Sequence, residues 1–195
     1  LGGFERASSL SNQLLTFSKG GAPIRKLAPL GPLLARCTAF ALSGSPVQVE
    51  YRIPPGLACS NYDENQLAQV IENLVLNAKQ AMPGGGTLIV TGENAGLEAG
   101  DHAVLPPGRY VRLSLEDSGS GIAAEHLPRV FDPFFTTKPK GSGLGLSSAF
   151  SIIQRHGGLL ELESEPGVGT TAHVWLPACE APPAPRPPEA AGPHR

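Results

Sequence analysis

The chain has 195 residues, of which 41% are hydrophobic, and its 15 Lys and Arg against 17 Asp and Glu give a formal net charge of -2. This length predicts one domain with a short appendage, and the scattered basic residues argue against a nucleic-acid footprint. The sequence contains no run of 18 or more apolar residues, so we expect neither a membrane span nor a secretory signal.

The cysteines indicate a reducing location. Cys37, Cys59 and Cys179 are odd in number and isolated in the sequence, so they predict neither a disulfide framework nor a zinc knuckle. We therefore expect a cytoplasmic protein, while a membrane anchor elsewhere in a longer protein stays open.

The two ends of the chain differ from its middle. Apolar residues between Phe4 and Phe17 recur at three- and four-residue spacing, which predicts a helix over 1–20 that ends at Gly20. A helix this short is only marginally stable alone. It therefore either docks on its own domain or, as we favour, joins a bundle with another chain. Residues 178–195 contain six prolines and predict a disordered tail.

The middle, 24–177, is predicted to be one domain of mixed elements. Asp63, followed by Gln66, forms an N-cap signature for a helix that runs to Met82. The other predicted elements are helices near 30–42 and 143–156 and strands near 47–53, 57–60, 87–93, 110–116, 159–164 and 171–176. This order predicts an α+β two-layer sandwich, an open mixed sheet with helices on one face.

Four uncharged amides form a narrow stripe on the central predicted helix: Gln66, Asn73, Asn77 and Gln80. Each amide alone could be an ordinary surface residue, but together the four border the apolar face of the helix. Amide oxygens suit a Mg²⁺ ion that already carries phosphates and water. Asn77 is the first candidate for such a metal ligand.

Two glycine-rich turns follow. Residues 116–122 read EDSGSGI, where a carboxylate at Asp117 could accept from an exocyclic amino group, although an ordinary turn has the same composition. Residues 141–146 read GSGLGL and open a predicted helix, whose N–H groups and dipole favour a phosphate. The spacing differs from dinucleotide folds, and no Gly-Lys dipeptide exists for a P-loop.

Between these turns, residues 130–140 read VFDPFFTTKPK and hold three of the seven phenylalanines. A mobile flap with a hydrophobic foot and a local core cluster both agree with this composition. Lys138 and Lys140 lie beside the second turn, where a cation would neutralise charge on a transferred phosphoryl group.

In chain order these pieces resemble the ATP-binding catalytic domain of sensor histidine kinases, the Bergerat-type superfamily shared with gyrase, a heat-shock chaperone and MutL. Residues 72–78 resemble its N box, 117–121 its first glycine box, 131–135 its F box and 141–146 its second glycine box. The likeness covers about 30–177 and includes terminal strands around 167–177. The motifs FTTK at 135–138 and LLTFS at 14–18 are most similar to the nitrogen-regulatory, PAS-associated type. The first helix then resembles the second helix of a dimerisation and phosphoacceptor hairpin, which implies a homodimer.

The resemblance implies ATP and Mg²⁺ as ligands. Asp117, supported by Thr170, would recognise adenine, and Asn77, with Asn73 nearby, would hold the metal. Asn73, Asn77 and Lys138 are the candidate catalytic residues, and residues 131–140 would form an ATP lid. The implied nucleotide-binding set is Asn73, Asn77, Lys79, Gln80, Asp117, Gly119, Gly121, Ile122, Phe131, Phe135, Thr136, Thr137, Lys138, Gly141, Ser142, Gly143, Leu144, Gly145, Leu146 and Thr170.

The implied reaction passes the γ-phosphoryl of ATP to a histidine and then to an aspartate of a response regulator. None of the five histidines has the acidic, Asn-rich context of an acceptor, so we expect the acceptor outside this chain; His156 is predicted to be a helix-terminal residue favoured by the helix dipole. Hydrolytic relatives carry Glu where this chain has Asn73, so water attack should be poor. The alternatives are a nucleotide-gated interaction module or an ATPase without phosphotransfer.

Overall fold

The structure, a computed structural model, describes residues 23–138 and 141–179. The predicted first helix and most of the predicted tail lie outside them. Within them the elements are, in chain order, β1 (Lys26–Pro29), α1 (Leu30–Ala41), β2 (Val47–Arg52), β3 (Cys59–Tyr62), α2 (Glu64–Ala81), β4 (Gly86–Leu97), β5 (Gly108–Asp117), a 3₁₀ turn (Leu127–Arg129), α3 (Gly145–Arg155), β6 (Leu159–Glu165) and β7 (Gly169–Cys179).

The strands form one seven-stranded mixed sheet in the order β1-β3-β7-β5-β4-β2, with β6 also paired to β7. Strands β2 and β4 are parallel, whereas the other pairs are antiparallel. Val111, Leu113 and Leu115 of β5 are buried on the face that the three helices cover, because successive strand residues point to opposite faces. The predicted two-layer architecture is confirmed.

The central helix α2 begins as its sequence predicts. Oδ1 of Asp63 accepts from the backbone N–H groups of Asn65 and Gln66, each at 3.1 Å, and this satisfies two of the donors that every helix start leaves unpaired. Its inward residues, Leu67 and Val70 among them, are fully buried. The 18-residue helix is about 27 Å long, so it carries polar residues from one end of the sheet to the other.

Several elements differ from the sequence-based expectation, among them the strand expected near 57–60, which lies at Cys59–Tyr62, and the strand expected near 87–93, which extends to Leu97. Strand β1 was not predicted, since its four residues show no alternation and it exists through pairing with β3. Ala178 and Cys179, assigned to the tail, instead end β7 because β3 supplies their backbone partners. Helix α3 begins at Gly145 rather than at Gly143, which has a φ of 68° outside the helical region.

His156 ends α3 as predicted, but not as a cation favoured by the dipole. The ring is 3% exposed, Nδ1–H donates to the carbonyl of Ile152 at 2.8 Å, and Nε2 accepts from the backbone N–H of Asp63 at 3.0 Å. Burial lowers the pKa of His156, and a ring nitrogen that accepts cannot carry a proton. His156 is therefore a neutral link between the end of α3 and the start of α2.

The sheet face away from the helices carries a smaller cluster of Leu105, Tyr110, Leu159 and Trp175. Among the helices of 23–138 and 141–179, none has both the length and the hydropathy needed to cross a bilayer.

Candidate functional site

Asp117 is a buried carboxylate at the end of β5. It is 7% exposed, its Oδ1 accepts from the N–H of Gly119 at 2.9 Å, and the N–H of Thr170, opposite in register, also bonds to it. Burial raises the pKa of Asp117, and these two N–H groups together with the charge of Lys138 oppose that rise. The carboxylate is thus positioned by backbone groups and keeps acceptor capacity for a further donor.

The turn 117–121 is held against the end of α2. The N–H of Ser120 donates to the carbonyl of Ala81 at 3.2 Å, and a Cβ added at Gly119 would lie 2.6 Å from that of Ala81. Gly121 has a φ of 69°, and any side chain there would collide with the carbonyl of Glu165. Only glycine at 119 and 121 therefore lets this turn lie between α2 and the β6–β7 turn.

Ser164 is a positioning residue that sequence reasoning missed. Its Oγ accepts from the N–H of Ile122 at 2.8 Å and contacts the carbonyl of Gly169 and Oγ1 of Thr170, both at 2.8 Å. It thereby ties the first glycine turn to the strand that supports Asp117. A serine in an otherwise ordinary strand end gives no signal of this role, because its partners lie 5 to 42 positions away in sequence.

Three of the four predicted amides meet site elements. Nδ2 of Asn73 donates to the carbonyl of Gly145 at 3.1 Å, which connects α2 to the start of α3. Oδ1 of Asn77 and Oε1 of Gln80 both accept from Nζ of Lys138, at 3.1 and 2.7 Å. Burial lowers the pKa of Lys138, and the charge of Asp117 opposes this shift. The structure therefore brings Asn77, Gln80, Lys138 and Asp117 into one electrostatic cluster.

Gln66 of the predicted amide stripe and the neighbouring Lys79 lie outside this cluster. Nζ of Lys79, a member of the implied nucleotide-binding set, donates to the carbonyl of Ala41 at the end of α1, at 3.1 Å, so its cation joins two helices. Gln66 lies seven residues before Asn73, about 10 Å along α2, and its buried Oε1 has no partner within the described residues.

The segment 131–138 is packed on the core at one end and exposed at the other. Phe131 stacks on Phe150 of α3 with centroids 4.8 Å apart and packs against the main core, whereas Phe134 is 66% exposed. Phe135 lies beside His126 and under the guanidinium of Arg129, which is 4.6 Å from its centroid. A hydrophobic foot therefore anchors one end, and Thr136 and Thr137 are exposed beyond it.

The second glycine turn faces this segment. Gly143 has a φ of 68°, its carbonyl accepts from the N–H of Phe134 at 2.9 Å, and a side chain there would collide with the Phe134 backbone. A Cβ at Gly141 would likewise collide with Thr136. The N–H of Leu144 bonds to Oγ of Ser142 at 3.4 Å.

Among residues 23–138 and 141–179 no side-chain cap is found at the start of α3, and its first turn contains no acidic residue. Its N-cap residue Leu144 is buried, and Leu146 packs against the core, so both leucines hold the helix start in place. The start of a helix, with its dipole, is suited to bind an anion through the backbone N–H groups of its first turn. Asn73, through Gly145, places this helix start beside α2.

A comparison with protein families agrees with this fold and with this arrangement of residues. The family model described as "Histidine kinase-, DNA gyrase B-, and HSP90-like ATPase" matches residues 62–180. The match includes α2, both glycine turns and β7. The chain belongs to this family.

The similar proteins are sensor kinases. Sensor kinase CckA of Brucella abortus (strain 2308) is 39% identical over 181 residues, which cover 88% of this chain and 19% of that protein. Sensor histidine kinase ZraS of Escherichia coli (strain K12) is 43% identical over 115 residues, 59% of this chain and 22% of that protein. The chain thus spans about a fifth of the length of these relatives.

A solved structure shows the same fold. Full-length ShkA in complex with AMPPNP superimposes with a TM-score of 0.72 at 24% identity, covering 89% of this chain and 36% of that one. The expected fold class is confirmed by this match and by the sheet order.

Proposed function

We propose that this chain is the ATP-binding catalytic domain of a sensor histidine kinase, which transfers the γ-phosphoryl group of ATP to a histidine outside the chain. One observation carries the proposal. The ammonium of Lys138 lies between the amide oxygens of Asn77 and Gln80 and within electrostatic reach of Asp117. One place in the fold therefore combines oxygen ligands for a cation, a positive charge and a buried acceptor for a base.

Asp117 is suited to recognise adenine. Its carboxylate is held by two backbone N–H groups, and a buried carboxylate that meets no donor on its open side costs free energy. An exocyclic amino group would supply that donor. Thr170 supports recognition through its backbone N–H, while its hydroxyl is bonded to Ser164.

The donor set also fits Mg²⁺. The ammonium of Lys138 acts as a stand-in cation, and it shows that two neutral amide oxygens converge on one position. Neutral oxygens in small number are what a magnesium ion needs when phosphates and water supply its other ligands. Asn77 is the proposed ligand and Gln80 its neighbour; the ion would neutralise phosphate charge during transfer.

The chain's other residues position the phosphates. Helix α3 presents its uncapped first turn toward them, and Asn73 holds that turn in place through the Gly145 carbonyl. When Lys138 leaves the amide oxygens, its ammonium remains on the same segment and can be directed at a phosphate oxygen. Positioning and charge neutralisation are the main contributions that phosphoryl transfer requires.

The position four residues before Asn77 favours transfer over hydrolysis. Asn73 occupies it, and an amide cannot accept a proton from water as a carboxylate can. Its Nδ2 is in addition committed to Gly145. We therefore propose a kinase rather than an ATPase, acting with a response regulator and as a homodimer through the segment before residue 23. The nitrogen-regulatory, PAS-associated subtype is part of this proposal and is supported by the FTTK motif at 135–138.

Calorimetric titration with ATP, in excess Mg²⁺ and in EDTA, tests the site. Asp117→Ala should lower the affinity by about 100-fold in both conditions, because it removes a charged hydrogen-bond acceptor. Asn77→Ala should lower it chiefly in Mg²⁺. Asn65→Ala, an exposed asparagine on the same helix, is the matched control and should have no effect. Unchanged affinity of Asp117→Ala, or an equal loss for Asn77→Ala in EDTA, would contradict these roles.

Incubation with γ-labelled ATP tests the reaction. The chain alone should retain almost no label after denaturation and should release phosphate slowly, since it lacks an acceptor and a base for water. Rapid phosphate release would favour the ATPase alternative, and label retained on one of the five histidines would contradict an external acceptor.

A further inference from the structure

Cysteines that are far apart in the sequence are adjacent in the sheet. Strand β3 pairs with β7 in the antiparallel direction, and Cys59 is directly opposite Cys179. Opposed residues in antiparallel strands have Cα atoms about 4.5 to 5.5 Å apart. Disulfides occur at Cα separations of about 4.4 to 6.8 Å, so the backbone already has the spacing that a disulfide needs. Two of the three cysteines, although isolated in the sequence, are therefore neighbours in the sheet.

Both side chains point to the same face of the sheet. In the neighbouring pair, Ser60 is 1% exposed and Ala178 packs against the main core, so this pair faces the helices. Because strand residues alternate between faces, Cys59 and Cys179 face away from the helices. Both are partly exposed free thiols, which allows a small reagent to reach them.

The third cysteine differs in every respect. Cys37 is buried on α1, 4% exposed, and burial raises the pKa of its thiol. The thiolate is the reactive form, so a buried thiol of raised pKa reacts slowly. Cys37 therefore serves as an internal control for any chemistry at the pair.

The surroundings favour a disulfide over a metal site. A structural zinc site needs four ligands, and residues 23–138 and 141–179 contain no group of three or more His, Cys, Asp or Glu side chains placed to hold a metal. Two opposed thiols can still be oxidised to one disulfide bond.

We propose that Cys59 and Cys179 form a reversible cross-strand disulfide, a redox modification site on the sheet face away from the helices. A low-molecular-weight disulfide such as oxidised glutathione is the oxidant. One cysteine thiolate attacks it and releases one glutathione thiolate, and the other cysteine thiolate then attacks the mixed disulfide and releases the second. One S–S bond forms in the protein, two thiols lose their protons, and the two electrons reduce the oxidant to two glutathione molecules.

The bond would strengthen a weak attachment. Strand β3 meets β7 through two register pairs, Cys59 with Cys179 and Ser60 with Ala178, and β1 is attached to the sheet through β3. A disulfide here closes a loop of about 120 residues, and long loops gain most from closure. Thr170 at the nucleotide site lies nine residues along β7, about 30 Å away, so oxidation should not alter ATP binding directly.

The test uses the full chain treated with excess oxidised glutathione and then with a dithiol reductant. We expect the intact mass to fall by about 2 Da, the accessible thiols under denaturing conditions to fall from three to one, and peptide mapping to join Cys59 to Cys179. The melting temperature should rise by about 5–10 °C and return on reduction. Both Cys59→Ser and Cys179→Ser should abolish these changes, whereas Cys37→Ser should keep them.

Several outcomes would overturn the proposal: stable glutathione adducts on the separate cysteines, a bridge that includes Cys37, covalent dimers, or a bond without any rise in melting temperature. ATP affinity measured on the oxidised and reduced chain distinguishes this proposal from the proposed function. A chain that forms the bond yet never binds ATP would leave the redox site supported and contradict the kinase assignment.

Discussion

The two sides of the nucleotide site are constructed differently. On one side, the turn 117–121 is enclosed by the end of α2 and by the β6–β7 turn, and backbone hydrogen bonds connect it to both. On the other side, the segment 131–138 reaches the domain through stacked rings, through backbone bonds with Arg129, Gly141 and Gly143, and through the Lys138 ammonium.

This difference leads us to expect that recognition and movement are divided between the two sides. The proposed role of Asp117 in selecting a base requires a fixed carboxylate, and Gly119 and Gly121 of its turn have no space for a side chain. A segment with few buried contacts opens at a lower free energy than the core does, so the Lys138 side can admit a nucleotide without unfolding the sheet. Four variants, in order of decreasing effect on the free energy of unfolding, test this division.

The largest effect is expected for Gly121→Ala on the enclosed side. The methyl group would collide with the Glu165 carbonyl at a φ of 69°, and neither neighbour can move, so we expect a loss of about 3 kcal/mol or more in urea unfolding. Gly167→Ala is the matched control because its φ is 80° but nothing lies within 4 Å of its Cβ position. It should cost only about 1 kcal/mol, and equal losses would refute the enclosure.

The next effect concerns His156 and depends on pH. Because its pKa is lowered in the folded state, the unfolded chain binds a proton more readily, so stability is fully present above about pH 6.5 and falls as the pH decreases below that value. His156→Phe should cost about 1–3 kcal/mol at pH 8, since it leaves the Asp63 N–H unpaired, and should weaken the acid-side decline.

Urea unfolding of both proteins between pH 8 and 5 measures this. His126→Phe, which keeps an aromatic ring beside Phe135, is the control and should retain the full decline. A decline of unchanged slope in His156→Phe would assign the pH dependence to other groups.

A smaller stability effect is expected for Gly143→Ala on the open side. The collision there involves the Phe134 backbone, which lies in an exposed segment where we expect a shift to relieve it, so unfolding should cost about 1–2 kcal/mol. ATP affinity should still fall by about 10-fold, because the turn before α3 can no longer present its N–H groups correctly. Gly96→Ala, where nothing lies within 4 Å, should change neither quantity, and a loss of stability as large as that of Gly121→Ala would remove the distinction between the two sides.

The smallest change in stability is expected for Lys138→Met. It removes one charge from a segment with few core contacts, so the free energy of unfolding should change by about 0.5 kcal/mol or less. ATP affinity should fall by about 5- to 10-fold and should depend less on ionic strength. The exposed Lys26→Met is the control for net charge, and an equal loss of affinity in that variant would show that only overall charge matters.

Local rules in the sequence determined the helices, most strands and the motif set. The Asp63 cap, the period of α2 and the glycines that end it act over a few residues, so their pattern is readable without the fold. The amides at 73, 77 and 80 and the carboxylate at 117 were found in the same way.

Tertiary structure alone decided how those groups are used. The bond of Lys138 to Asn77 spans 61 positions, that of His156 to Asp63 spans 93, and Lys79 turns to α1 instead of the site. Strand pairing likewise made neighbours of Cys59 and Cys179 and drew the end of the expected tail into β7. Such contacts depend on register and packing across the whole sheet, and residue spacing along the chain carries no information about them.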